Sequence, residues 1–190
     1  MEEQQSQYLA QYEARLIDTI LRQVTDLGLL KGELLFVEEL EERWRTSAPE
    51  YMAAAVPQIA EYPAVAIAWA GYLGVGAAAI WDNDWESYAE VEDLYSLISK
   101  PRGFDEMDEY VMEGLLGMKL DSEEAQKLES VMRSIAHTAQ GMIHKENIEA
   151  QSVLAFHIFA RTTKVFYKVG IAMGLHLLGY SYVKAKVEES

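Results

Sequence analysis

Apolar residues recur along most of this chain at intervals of three and four, the spacing that aligns one face of an α-helix. Leu9, Tyr12, Leu16, Ile20, Val24 and Leu27 form the first such stripe, and Gly28 directly after it supplies a stop. A second helix is predicted over about 33–45, burying Phe36, Val37, Leu40 and Trp44. Pro49, Pro57 and Pro63 then punctuate the chain. Each is expected to end or start a helix, because proline lacks the N–H and crowds the preceding turn. From about 64 to 81 the residues are apolar on every side, which marks a helix at the centre of the fold.

Further along, Asn83 and Glu86 stand at capping-box spacing and predict a helix to about Ser99. Pro101 and Gly103 mark a turn, Asp105 can cap a helix through Leu116, and Asp121 with Glu124 repeats the cap signal. Leu128, Met132, Ile135, Ala139 and Met142 define an amphipathic helix to about Lys145. A long and largely apolar helix is predicted from about Asn147 to Val183. No segment alternates convincingly at period two. The expectation is an all-α single domain over residues 1–190: a helical bundle of about six to eight helices, with a buried Ala/Gly-rich central helix and a long C-terminal helix.

Composition narrows this picture. The uncharged stretch from Pro63 to Trp81 is long enough to test as a membrane span. Seven of its residues are alanine and three are glycine (Gly71, Gly74, Gly76), which leaves few large side chains to drive insertion. Together with a mean hydropathy of −0.09, that favours a buried helix, and no membrane association is expected. The first residues, Met1-Glu2-Glu3-Gln4-Gln5-Ser6, lack the basic start and apolar core of a secretory signal, so a cytoplasmic setting is the expectation. The chain has no cysteine, which removes disulfides, thiolate metal sites and any cysteine nucleophile.

The formal net charge is −15, from 31 acidic and 16 basic residues. That balance argues against a nucleic-acid partner, because phosphate binding needs clustered Lys and Arg. The middle third (61–124) is strongly acidic and the last third (125–190) mildly basic. The C-terminal helices are therefore expected to pack beside the acidic middle. An acidic face would also suit a basic partner or a cation.

The motifs of most enzyme classes are missing: there is no P-loop, no HExxH and no GxSxG. None of His137, His144, His157 and His176 has a glutamate three residues before it, as carboxylate-bridged di-metal bundles require. Two acid pairs at helical spacing, Glu39 with Glu42 and Glu90 with Asp93, could face each other across a divalent metal, although acidic helix surfaces produce such pairs by chance. The run from Asp82 through Glu90 to Asp93 also imitates a calcium loop, with Ser87 where that loop turns on glycine. His137 and His144 share a helix face with Arg133 and Gln140, opposite the apolar stripe, and read as exposed polar positions. His176 lies in an apolar run and reads as a buried, hydrogen-bonded histidine.

The most suggestive pattern is in the last helix, where His157, Arg161, Lys164 and Lys168 form one basic stripe flanked by Phe156, Phe159, Phe166 and Tyr167. Basic groups on an otherwise apolar helix need water or an anion. The stripe can be a solvated face, can pair internally with the acidic middle, or can line a pocket for an anionic ligand with aromatic walls. On this reading the chain is a non-catalytic binding or interaction module, taking a basic protein partner or forming a homodimer. The alternative is a binder of a small anionic molecule, or a metal-dependent enzyme, with its site between helices.

Overall fold

The computed structural model describes residues 2–35 and 37–180, and among them all regular structure is helical. The elements are α1 (Glu3–Asp26), α2 (Glu38–Glu42), α3 (Trp44–Ile59), α4 (Pro63–Asn83), α5 (Trp85–Glu90), α6 (Leu94–Ser99), α7 (Met107–Glu109), a π-helical turn (Tyr110–Leu115), α8 (Glu123–Lys145) and α9 (Val153–Leu177). Nine α-helices among the described residues exceed the expected six to eight, in part because the segment 83–99, which reads as one helix, divides into α5 and α6.

The long amphipathic helices follow the sequence closely. The α1 stripe Leu9, Tyr12, Leu16, Ile20 and Val24 is fully buried. The helix stops where Gly28 takes a left-handed φ of +86°, which lets the N–H groups of Gly28 and Leu29 return to the carbonyls of Thr25 and Val24. The Ser122 hydroxyl accepts the Ala125 N–H at 3.2 Å to start α8, and the Ser152 hydroxyl accepts the Ala155 N–H at 3.0 Å to start α9. The first cap is thus Ser122 rather than Asp121. The last helix begins six residues later than expected and closes at Leu177; the predicted extension over 181–183 lies outside the described residues, as does Phe36.

Prolines behave differently from expectation. Pro63 opens α4, but Pro49 and Pro57 lie inside α3. A proline inside a helix costs about 3 kcal/mol or more, and packing of the same helix offsets it. Tyr51 is fully buried, donates its hydroxyl to the Ala66 carbonyl, and stands edge-on to Tyr95 with ring centroids 5.6 Å apart. The expected helix over 83–99 breaks at Val91. Asp84 caps α5 by accepting the Ser87 N–H at 3.2 Å, and Asp93 caps α6 by accepting the Tyr95 N–H at 2.9 Å.

Helix α4 is the axis of the fold, buried on all sides from Ala66 to Ile80 apart from a half-buried Trp69. It is long and apolar enough to cross a membrane, and 78% of its most apolar window is covered by the other helices. Its main neighbour is α9, and the two backbones touch. A methyl group on Gly74 would lie 2.1 Å from the Tyr167 carbonyl oxygen, and one on Gly170 would lie 2.0 Å from the Gly71 carbonyl oxygen. Glycine is thus a requirement of this crossing, which explains the small-residue composition that also weakens the segment as a membrane span. Helix α1 is fastened to α9 by a buried bond between the Tyr12 and Thr162 hydroxyls, 2.7 Å, and to the end of α8 by Tyr8 and Arg15, which both bond Glu146. Helix α8 lies against the other side of α4, leaving a cleft near the start of α4.

Candidate functional site

The basic stripe of α9 faces acids from the first part of the chain. Arg161 pairs with Glu13 of α1 at 2.6 Å. Lys168 and Lys164 lie close enough to Glu41 of α2 to favour its carboxylate, although burial of Glu41 outweighs them and its pKa rises. His157 is half-buried with the Phe156 ring 6.0 Å away. The acids that meet Arg161, Lys164 and Lys168 thus come from α1 and α2, not from the acidic middle third.

Folding brings the acid pairs toward one region, which also holds the Arg43 side chain. Glu39 and Glu42 of α2 are near enough to act on the Tyr88 phenol of α5. Glu90 and Asp93 border a surface groove together with Arg43 and Arg45. The Arg43 guanidinium sits 4.7 Å from the centre of the Tyr88 ring and donates to the Tyr88 carbonyl at 2.9 Å and to the Val91 carbonyl. Arg43 and Arg45 thus bring positive charge of the chain's own to this region. Asp84 and Asp93 are engaged as helix caps, and the residues from Trp85 to Glu90 form a helix where a calcium loop would need an open turn. Among the described residues, no group of three or more His, Asp or Glu side chains converges on one point.

The site with ligand-like geometry is the cleft between α4, α7 and α8. Its volume is about 420 Å³, within the range of roughly 300–1,000 Å³ typical of small-molecule sites. Helix α4 supplies Ala64, Val65, Ala68, Trp69 and Tyr72 at helical spacing, so one face of this helix forms the apolar wall. Helix α8 supplies Met132 and Ala136 as floor, with Glu129, Arg133, His137 and Gln140 toward the rim. His137 is exposed, while His144 does not belong to the lining and His176 is half-buried near the end of α9.

Asp108 of α7 closes the cleft on its third side. It is positioned through the preceding loop, because the Trp69 indole N–H donates to the Phe104 carbonyl at 2.6 Å. Val111 and Met112, three and four residues after Asp108, are buried, so Asp108 lies close to the inward side of this segment. Burial is the main reason its pKa rises to about 6, with the negative charges of Glu109 and Glu129 adding to the effect and backbone N–H bonds opposing it. Among the described residues no cation pairs with Asp108, whereas Arg133 is already bonded to Glu129 within α8. Tyr72 is 1% exposed, and no hydrogen bond among the described residues engages its hydroxyl. Burial, then Asp108 and Glu129, push the Tyr72 phenol far above its ordinary range, so it stays a neutral donor.

Sequence reasoning grouped Arg133, His137 and Gln140 on one face and read that face as solvated; the structure places all three on the rim of this cleft. Asp108, Tyr72 and Trp69 escaped it. The available signal was an acid standing in the register of an apolar stripe.

Fold and site together define an all-α protein with a cleft between three helices, holding a carboxyl that no cation faces and a phenol that no hydrogen bond engages among the described residues. Comparison with protein-family models, with curated proteins and with solved structures gave no match.

Proposed function

We propose that this chain is a small-molecule-binding protein and that its ligand occupies the cleft between α4, α7 and α8, in a cytoplasmic setting. One observation carries the reading. The Asp108 carboxyl and the Tyr72 hydroxyl stand together against apolar walls; among the described residues no cation faces the carboxyl, which accepts backbone N–H groups, and no hydrogen bond engages the phenol. A bound molecule that pairs with the carboxyl and bonds the hydroxyl gains interactions that the chain itself does not supply. Apolar walls with a few convergent polar groups are the usual make-up of such sites.

A thermal-shift screen of small amphiphilic molecules tests the reading, run on the natural sequence and on Ala64→Phe, which narrows the mouth from a half-buried position. Compounds that raise the melting temperature of the natural protein and not of the variant support it. Equal shifts in both proteins, or no shift with any compound, overturn it.

A second reading, association with a basic partner or with a second copy of the chain, has its own support. Val153 is 75% exposed and Phe156 49% exposed at the start of α9, and Phe156 shares a surface groove with Glu41, Glu42, Arg45 and Lys164. If a basic partner docks there, affinity should fall steeply with salt, since exposed charges are screened within about 10 Å at 0.1 M. Salt-independent binding would exclude that electrostatic form.

A further inference from the structure

If the cleft is the ligand site, as proposed above, its charges and walls also restrict the kind of molecule that fits. The charged groups of the cleft are Glu61 at the mouth, Asp108 on α7, Glu129 and Arg133 on α8, and His137 on the α8 rim. Arg133, exposed at the rim, pairs with Glu129 one turn earlier on the same helix, so the two together add no net charge. Asp108 is then left facing Tyr72 from α4, Glu129 from α8 and Glu109 from its own helix, and none of these offers a positive charge. An anion would enter a cleft already rich in carboxylates. A neutral body would leave the Asp108 charge buried and uncompensated. A bare metal ion lacks the converging ligands it needs among the described residues.

The walls point the same way. The Trp69 and Tyr72 rings stand at 82° with centroids 5.4 Å apart, so they present an aromatic corner to the cleft. Aromatic faces attract organic cations through the ring quadrupole, and the Tyr72 hydroxyl adds a hydrogen-bonding group beside the carboxylate.

We propose that the ligand is an organic cation, a protonated amine on a flat apolar body, with its ammonium group against Asp108 and its body along Trp69 and Tyr72. No covalent step is involved; Asp108 serves as counter-ion, and binding holds it in the ionised form.

Three probes of similar shape test this: phenethylamine, phenethyl alcohol and 3-phenylpropanoate, titrated by calorimetry and by the NMR signal of the Trp69 indole N–H, assigned with Trp69→Phe. The amine should bind at least tenfold more tightly than the alcohol at pH 7.5, and the carboxylate should bind weakest. Because Asp108 ionises near 6, lowering the pH to 5 should weaken amine binding about tenfold while leaving the alcohol unchanged. In Asp108→Asn, checked for folding by circular dichroism, the amine should lose its advantage and its pH dependence while alcohol binding persists. Equal binding of amine and alcohol, tighter binding of the carboxylate, or an unchanged amine affinity in Asp108→Asn would overturn the cation assignment and leave the cleft standing. If none of the three probes moves the Trp69 signal, the cleft reading itself fails.

Discussion

Asp108 is the residue on which the site turns, and its titration is readable without any ligand. Its folded pKa of about 6 lies above the ordinary carboxylate value. A carboxyl shifted upward binds its proton more tightly when folded, so its stabilising contribution is complete below the unfolded value of about 4 and is lost as pH rises through about 6. Asp108→Asn should therefore melt at a higher temperature than the natural protein at pH 7.5, with the gap closing as pH falls to 4.5. A gap independent of pH would mean that the carboxyl is not withdrawn from water. Arg161 makes a contrasting case. It is ion-paired and about two-thirds covered, and its Glu13 partner is more deeply covered still. Arg161→Ala should lower the melting temperature by several degrees by leaving Glu13 unpaired, and Glu13→Gln in the same chain should restore part of the loss. Full additivity of the two changes would show that the pair is not coupled.

At the scale of elements, legibility in the sequence followed how local the cause was. The α1 and α8 stripes could be read because the same residues that set the period are the ones buried. Where tertiary contacts set a boundary, the sequence misled. Pro49 reads as a helix end, yet Tyr51 and Ala55 anchor α3 on both sides of the turn that follows it. Residues 83–99 read as one helix, yet the Val91 carbonyl is turned toward Arg43, a residue some fifty positions earlier. The glycines of α4 could be read as points of close approach, but their partner could not, because Gly170 and Tyr167 lie about a hundred residues away. This crossing gives a direct test. Gly74→Ala drives a methyl into a backbone oxygen that cannot turn aside, so its cost should reach or exceed the roughly 1–3 kcal/mol typical of overpacking. Gly141→Ala, on α8 with open space around it, should be neutral or stabilising by up to about 1 kcal/mol. Urea denaturation of both variants measures the difference, and equal midpoints would contradict the backbone contact.

Across the whole molecule, the charge of −15 is not spread as linear thirds suggest. The C-terminal bases are met by Glu13 and Glu41 near the start of the chain, and the acids of the middle third are left to other work. One of them, Asp108, reaches the cleft because Trp69 holds the loop before α7. No local pattern in the sequence encodes that tie, so the fold class was readable in advance while the cleft was not. The function proposed for this protein requires that a ligand sit in this cleft. The most direct measurement is a backbone and indole ¹H–¹⁵N NMR map of the protein titrated with phenethylamine. It should show shifts concentrated at the Trp69 indole and at the amides of Ala64, Ala68, Asp108 and Ala136. Shifts centred on Trp85 or Phe156, or no shifts at all, would contradict it.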